Sequence, residues 1–405
     1  MGSIRTPVRK LRFIPGQIAT HAEELAYLRS RLRASLASPA LTIVNIQDLQ
    51  ERCEAHVQGL VVAGPDLLSL VSASLEADDR DEVFAAAYGL LRTQIPAFAQ
   101  RVIDAFMSAS GNRLTGLADA LGAVQETLSE AALLKVVEQG DARRAAHAGL
   151  ALANRRCLYA GHPRLATLLG DEDTAIALLA WRVAALLDEP GAAHDRPYAL
   201  AARSEDVALR EAAFHAGAWH GESWVLPALA QLAQRGDLVG WRGLAALGDA
   251  RCVPLLTSGL QEEIPLALRA PLAARWGHPV AIEHMLAQMR DADPVQAAAA
   301  GDAFTRMTGF DVEGRRETPP VAEDTDVFAR EFAEDVWLPD IDKAQRFWTQ
   351  HAERWQAGAR WCRGFEITAS LPSAAQQQIS MQARWDFGAR AALSGARIFA
   401  PPPAL

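Results

Sequence analysis

Residues 221–247 read GESWVLPALAQLAQRGDLVGWRGLAAL, and residues 248–276 read GDARCVPLLTSGLQEEIPLALRAPLAARW. The two stretches, 27 and 29 residues long, align on their first glycine. Apolar residues stand four and eight positions after that glycine: Val225 and Leu229, then Cys252 and Leu256. An acidic or glycine-containing turn and a second apolar helix complete each stretch. Two helices per period of about 30 residues are typical of an α-solenoid, in which helix pairs bury their apolar faces against neighbouring pairs.

The same pattern extends over residues 81–310. Its marker glycines are Gly161, Gly221, Gly248 and Gly277, and Gly191 divides the gap of 60 residues before Gly221. Asp293-Pro294 places a helix-capping acceptor before a proline at the first helical position. Gly248 and Gly277 follow the last apolar residue of a helix, where a left-handed residue is easiest for glycine. The sequence therefore predicts an all-α solenoid of HEAT-like helix pairs.

Three further regions flank this repeat region. Residues 1–80 predict an N-terminal helical unit, because apolar stripes at helical spacing recur along them. Residues 311–340 hold ten acidic residues against three arginines and predict an acidic connector, with one short helix near Thr325 to Asp335. Residues 341–405 are basic and rich in tryptophan, and predict a helical region that caps the stack. Within it, residues 367–383 carry no charge, and the sequence assigns them no role.

Composition limits the classes of function and the compartment. Half of the 405 residues are hydrophobic and 22% are charged, which indicates a soluble globular protein. The formal charge of −9 argues against a nucleic-acid partner. Arg182, Arg242 and Arg269 recur at a spacing close to the repeat, but three arginines among many acids make a weak basic groove. Four widely spaced cysteines and the lack of a long apolar run predict a cytoplasmic protein with no membrane partner.

The sequence offers few groups for catalysis or for metal and cofactor binding. It has no glycine-rich phosphate loop, no GxSxG nucleophile motif and no HExxH zinc motif. His215 and His220 are five residues apart, which turns them away from one helical face. Cys157 and His162 lack a third group to orient the imidazole. We therefore predict no catalytic residue, no metal site and no cofactor.

The C-terminal region is the best candidate for partner binding. Trp348, Trp355 and Trp361 alternate there with arginines, and these residue types are common at interface hot spots. The predicted protein-binding residues are Trp348, Trp355, Trp361, Arg354, Arg360 and Arg363. The alternative is that the tryptophans are buried and close the end of the solenoid. Both roles are compatible with the sequence.

Over about residues 20–310 the chain resembles a family of uncharacterised bacterial HEAT-like repeat proteins that are often encoded near type VI secretion genes. The resemblance rests on HAEEL at 21–25, ERCEAHVQGL at 51–60, EVFAAA at 82–87 and AFTRMTG at 303–309. It implies a cytosolic helical repeat protein linked to secretion, and it brings no catalytic residues to carry over.

Two functional hypotheses follow from these observations. The first is a non-enzymatic protein-binding scaffold, as an adaptor or immunity partner of a type VI secretion effector, since an acidic protein suits a basic toxin. The second is a HEAT-like enzyme, of lyase or DNA glycosylase type, with a ligand in the solenoid groove. The sequence leaves open the identity of the partner, the face that binds it and the oligomeric state.

Overall fold

The computed structural model describes residues 13–125, 127–159, 161–187, 195–319, 335–355 and 358–403. Almost all regular structure within these ranges is helical, which confirms the all-α prediction. The first ten helices are α1 Pro15–Ser35, α2 Ile43–Val61, α3 Leu67–Leu75, α4 Arg80–Arg92, α5 Pro96–Ser108, α6 Gly111–Ala123, α7 Thr127–Gln139, α8 Ala142–Asn154, α9 Pro163–Leu169 and α10 Thr174–Leu186. The next eight are α11 Asp195–Ala201, α12 Val207–Trp219, α13 Val225–Gln234, α14 Leu238–Leu247, α15 Val253–Ser258, α16 Leu266–Trp276, α17 Ala281–Gln288 and α18 Pro294–Thr308.

The described chain forms two compact units. Unit 1 comprises the described residues within Met1–Leu36, Asn45–Arg203 and Pro402–Leu405. Unit 2 comprises those within Ala37–Val44 and Ser204–Pro401. The boundary after Arg203 falls inside the predicted repeat region, which the sequence presents as one continuous stack.

Unit 1 is built from two layers of helices. Helices α1, α4, α6, α8 and α10 pack side by side, and we call them its inner layer. Helices α3, α5, α7 and α9 form the outer layer, and each packs on the inner helix that follows it. The inner helices are rich in alanine and approach one another more closely than the outer helices do. This is the geometry of helix pairs that bury their apolar faces against the next pair.

Unit 2 repeats this arrangement. Its inner layer consists of α12, α14, α16 and α18, and its outer layer consists of α13, α15 and α17. Each of the marker glycines Gly221, Gly248 and Gly277 stands at the turn from an inner helix to the next outer helix, as the alignment predicts. Leu229 and Leu256, at the same repeat position, are 0% and 2% exposed. The marker Gly191 lies outside the described residues.

The predicted helix ends are confirmed at two positions and wrong at a third. Asp293 caps α18 by accepting a hydrogen bond from the N–H of Val295 at 2.9 Å. Gly277 ends α16 in the left-handed conformation, with φ +66°. Gly248 instead has φ −56°, so the left-handed prediction fails there. A side chain at Gly248 would still collide with its own helix, since its Cβ would lie 2.7 Å from the carbonyl oxygen of Leu244.

The described ends of the predicted connector form a β-ribbon. Strand β1, Glu313–Glu317, pairs antiparallel with strand β2, Val336–Pro339. Strand β2 lies on α18, where a Cβ at Gly301 would meet Pro339 at 2.9 Å. Strand β2 is therefore packed on the last repeat helix, while β1 pairs with it and is mostly exposed. The predicted short helix near Thr325 to Asp335 lies, except for its last residue, outside the described residues.

The C-terminal region continues as α19 Ile341–His351, β3 Trp361–Cys362, β4 Phe365–Glu366, α20 Ser373–Gln378 and α21 Met381–Leu393. Helix α19 covers the last helix pair, with the ring of Phe347 6.0 Å from that of Phe304 in α18, so the predicted cap is present. The chain then turns back, and α21 packs on α12 and α14. The uncharged residues 367–383 supply Ile367, Ala375 and Ile379 to a small buried cluster. These three residues therefore form part of the core, while residues 368–370, 372–374 and 376–378 are exposed.

Within the described residues, no single helix combines the length and the apolar composition of a membrane span. One pair of segments has the required length and apolar composition only when taken together: helix α2 and residues Gly64–Leu75. A bend of 93° separates the two segments. All four cysteines are free thiols.

Candidate functional site

The predicted aromatic surface is largely interior. Trp355 and Trp361 are only 5% and 6% exposed, and their ring centres lie 4.4 Å apart. Trp348 is half-buried beside them, with its ring centre 6.1 Å from that of Trp355 and its indole N–H donated to Glu283 at 3.0 Å. The three rings therefore form one packed cluster, as the cap alternative predicts. Of the three rings, only that of Trp348 is partly exposed.

Arg360 is also interior, and it serves the ends of two inner helices. It is 5% exposed, and its guanidinium donates to the carbonyls of Ala245, Gly248 and Trp276. Burial lowers the pKa of Arg360, and the nearby charge of Arg390 adds to that effect. The negative ends of the helix dipoles at α14 and α16 act in the opposite sense and favour the cation. Arg360 is therefore a capping group and is not available to a partner.

The other two predicted arginines lie at the surface. Arg354 is exposed and donates to the carbonyl of Gly364 at 3.1 Å. Arg363 is half-buried and donates to the carbonyl of Ala40. The structure thus divides the six predicted residues into three interior groups and three at least partly accessible ones. Contact of the accessible three, Trp348, Arg354 and Arg363, with a partner stays a prediction.

A groove of about 240 Å³ opens elsewhere in unit 2, between α12, α14 and α21. Its walls combine apolar side chains with five charged or titratable groups and one tryptophan, which are Glu211, His215, Arg242, Arg275, Asp386 and Trp385. Two elements of the sequence bring them together. The inner helices supply the first four, and the returning helix α21 supplies Trp385 and Asp386. The polar groups therefore converge only because the C-terminal region folds back over the repeats.

Ion pairs hold the charged groups of the groove in place. Both carboxylate oxygens of Asp386 accept from the guanidinium of Arg275, at 2.7 and 2.8 Å. Asp386 is buried and the Arg275 side chain is only a quarter exposed, so this two-bond pair is fixed in position. At the rim, Arg242 lies 3.3 Å from Glu211, and both side chains are substantially exposed. The groove thus has a fixed ion pair, Arg275–Asp386, in its interior and a more exposed ion pair, Arg242–Glu211, at its rim.

His215 stands between these pairs. Its side chain is open to solvent, although the groove walls crowd it. This crowding lowers the pKa of His215, because the imidazolium loses water there, and the attraction of Asp386 only partly offsets it. The ring is therefore neutral at pH 7, with both a donor and an acceptor nitrogen. It suits hydrogen bonding to a bound polar group.

The groove offers weak means for acid–base or nucleophilic chemistry. Asp386 is fully engaged by Arg275, so it does not orient the imidazole of His215 as a catalytic carboxylate does. No serine, threonine or cysteine lines the groove. Across the ranges that the structure describes, no three His, Cys, Asp or Glu side chains come together as a metal site.

Among the groove residues, sequence reasoning weighed only Arg242, for a basic groove, and His215, as a zinc ligand, and it rejected both roles and missed the rest. Arg275 and Asp386 are 111 residues apart, and no local pattern connects them. The available signal was an acidic residue at the centre of an otherwise basic C-terminal helix, since a lone buried carboxylate needs a cationic partner.

Comparisons with known proteins add little. No family model matches the chain, and no curated protein matches it. Among solved structures, human deoxyhypusine hydroxylase in complex with glycerol is similar at 16% sequence identity, over 72% of this chain and 98% of that chain, with a TM-score of 0.21. A likeness this weak supports no statement about the activity of this chain.

Proposed function

We propose that this chain is a non-enzymatic protein-binding scaffold and that its partner docks at the groove between α12, α14 and α21. The size of the groove carries this proposal. At about 240 Å³ it is smaller than the ~300–1,000 Å³ typical of small-molecule sites. It has room for one or two side chains of a docked protein.

The chemistry of the groove supports the same proposal. Trp385 and Arg242 are residue types that dominate binding hot spots. The paired charges leave the groove close to neutral, so they favour a partner that presents polar and apolar side chains over a highly charged ligand. A helical repeat stack also offers a long surface around the groove for further contacts.

We further propose that the scaffold acts in the bacterial cytoplasm as an adaptor or immunity partner of a type VI secretion effector. The support for this narrower role is the resemblance over residues 20–310 together with the net charge of −9, which suits a basic effector.

Site-directed photocrosslinking in the producing cell tests the docking site. A photoreactive phenylalanine analogue replaces Arg242 at the groove rim or, as a control, Arg251, which is 83% exposed and does not line the groove. We expect one protein to crosslink in stoichiometric amount at position 242 and not at position 251. Equal crosslinking at both positions, or none at 242, contradicts the proposed docking site. Turnover of a metabolite by the purified protein contradicts the non-enzymatic role.

A further inference from the structure

Two histidines from different helices of unit 1 meet, and we call them the histidine pair. His21 lies in the second turn of α1, and His56 lies in the last third of α2. Their Nδ1 atoms are 3.1 Å apart, and their ring centres are 5.2 Å apart with the planes inclined at 68°. Both side chains are half-buried, so solvent reaches them. The fold thus brings two imidazole nitrogens together at a position that a small solute can reach.

Gly59, three residues after His56 in α2, makes room for this approach. A Cβ at position 59 would lie 2.5 Å from both Cδ2 and Nε2 of His21, well inside van der Waals contact. The imidazole of His21 therefore packs against the backbone of α2. Its Nε2 edge faces Gly59, and its Nδ1 faces His56. The packing of the two helices thus sets the geometry of the pair.

The separation of the two nitrogens suits a shared metal ion as well as a hydrogen bond. In the hydrogen bond one neutral ring donates its Nδ1–H and the other accepts. When the donor ring carries its proton on Nε2 instead, both Nδ1 atoms present a lone pair. Two metal–nitrogen bonds of ~2.0–2.1 Å to atoms 3.1 Å apart enclose an angle of about 100° at the ion. This angle lies between the square-planar and the tetrahedral value, and each ring needs only to tilt towards the ion.

The charges around the pair are balanced. Burial and the neighbouring His21 lower the pKa of His56, so this ring is neutral at pH 7 and keeps a lone pair. Glu24, three residues after His21, and Arg52, four residues before His56, act on His56 in opposite senses. Both are exposed. The carboxylate of Glu24 partly offsets the charge of a bound cation.

The ligand atoms define the class of ion. Imidazole nitrogen suits Zn²⁺, Cu²⁺ and Ni²⁺, whereas Mg²⁺ and Ca²⁺ prefer oxygen ligands. No third His, Cys, Asp or Glu joins the pair within the described ranges, so solvent supplies the remaining ligands of such an ion. Cys53, three residues before His56, stays a thiol, because burial raises its pKa.

We propose that the histidine pair binds one divalent transition-metal ion, Zn²⁺, Cu²⁺ or Ni²⁺, through the Nδ1 atoms of His21 and His56. The ion takes the place of the hydrogen bond and links α1 to α2. Spacing within one helix could not reveal this site, because its two ligands are 35 residues apart. Both lie in unit 1, so the site is independent of the groove of unit 2 and of the partner proposed for it.

Calorimetric titration of the full chain, freed of any purification tag and of bound metal, tests this site. We expect one equivalent of Zn²⁺ or Ni²⁺ to bind with a Kd below about 100 µM, and Mg²⁺ not to bind. His21→Gln and His56→Gln are each expected to weaken binding by at least about tenfold, because one of the two ligands is lost. The matched control is His351→Gln, which removes an exposed histidine of α19 whose ring neighbour is Phe347. It is expected to leave binding unchanged.

Two further measurements hold if a histidine variant folds poorly. Gly59→Ala keeps both histidines but displaces the ring of His21, and it is expected to weaken binding. The electron paramagnetic resonance spectrum of the unmodified chain with one equivalent of Cu²⁺ is expected to show coupling to two imidazole nitrogens. Zn²⁺ is also expected to raise the thermal midpoint of the unmodified chain more than that of His56→Gln.

The proposal is overturned when neither Zn²⁺ nor Ni²⁺ saturates below about 1 mM, when His21→Gln and His56→Gln bind as tightly as His351→Gln, or when the Cu²⁺ spectrum shows a single nitrogen. Each of these results leaves His21 and His56 as a hydrogen-bonded pair only.

Discussion

Units 1 and 2 share one helix-pair architecture, yet an arginine of each inner layer finds a different set of partners. In unit 2 the C-terminal helix α21 returns over α12 and α14 and supplies Asp386 to Arg275. In unit 1, Arg33 and Arg80 are paired with Asp81 and Asp119, while Arg29 is buried with two guanidinium nitrogens that have no acceptor among the described residues. The inner-layer arginines are thus satisfied to different degrees, because in unit 2 the returning helix α21 supplies a carboxylate to Arg275.

The C-terminal region, residues 341–405, also supplies buried arginines that stabilise unit 2. An α-helix ends with four carbonyls that have no partner in the helix, and in unit 2 one arginine serves two such ends. Arg360 reaches α14 and α16, and Arg390 of α21 donates to the carbonyl of Ala246 at 2.8 Å. Unit 2 therefore depends on its C-terminal region.

The largest expected effect tests this dependence. Arg360→Met removes the donor to five carbonyls at the ends of α14 and α16, and we expect a loss of on the order of 3–5 kcal/mol in the free energy of unfolding. Urea denaturation of the full chain measures it. Arg354→Met, at an exposed position with one bond, is the control and is expected to cost less than ~1 kcal/mol. Similar losses for both variants contradict a special role for Arg360.

A pH effect is expected from unit 1. Burial lowers the pKa of His147 in α8 to about 4, with Arg143 and Arg80 adding to the shift. The unfolded chain takes up a proton near pH 6.5 and the folded chain does not, so stability is present above pH 6.5 and lost as pH falls towards 4. We expect a loss of up to about 3 kcal/mol. Urea denaturation at pH 7.5 and pH 5 shows it.

The control for this effect is His147→Gln, which removes one titrating group and is expected to reduce the dependence between pH 6.5 and 4 without abolishing it, because the pKa of His215 is also lowered to about 4. An unchanged slope in the variant assigns the pH effect to other groups.

A smaller effect of opposite sign is expected at Arg29. Arg29→Met replaces a partly unpaired buried cation with an apolar side chain of similar length, and we expect a gain of about 1 kcal/mol in stability. Arg33→Met, which removes the partner of Asp81, is expected to destabilise instead. A fall in the thermal midpoint for Arg29→Met indicates that the Asp119 carboxylate needs the charge of Arg29 as well as that of Arg80. That result would mean that the positive and negative charges around Asp119 balance, as the paired charges of the groove of unit 2 do.

An effect on stability of similar size and opposite sign to that of Arg29→Met is expected at Trp348. The Trp348→Ala variant loses a half-buried ring and one exposed hydrogen bond, and we expect a cost of about 1 kcal/mol. Trp361→Ala opens a cavity in the interior of the cap and is expected to cost about 3–5 kcal/mol. Differential scanning calorimetry separates the two. Equal losses contradict the division of the tryptophans into surface and interior residues.

The fold was largely predictable because its signals are local. Glycine turns, the Asp293-Pro294 cap and apolar residues at helical spacing each act within a few residues of one another, so the sequence shows them directly. The site was not predictable in this way. Tryptophan and arginine are typical both of interfaces and of desolvated interiors, and residue type alone does not decide which environment surrounds Trp361 or Arg360.

By itself, the sequence determined the all-α class, the helix-pair period and the positions of some helix ends, since backbone hydrogen bonding and the burial of apolar stripes depend on neighbouring residues. Only the tertiary structure decided that the C-terminal region turns back along unit 2, that Asp386 meets Arg275 across 111 residues, and that Arg182 keeps an open face. Such pairings depend on which surfaces the packed layers bring together. Electrostatic energy depends on distance and desolvation, and the packed layers set both.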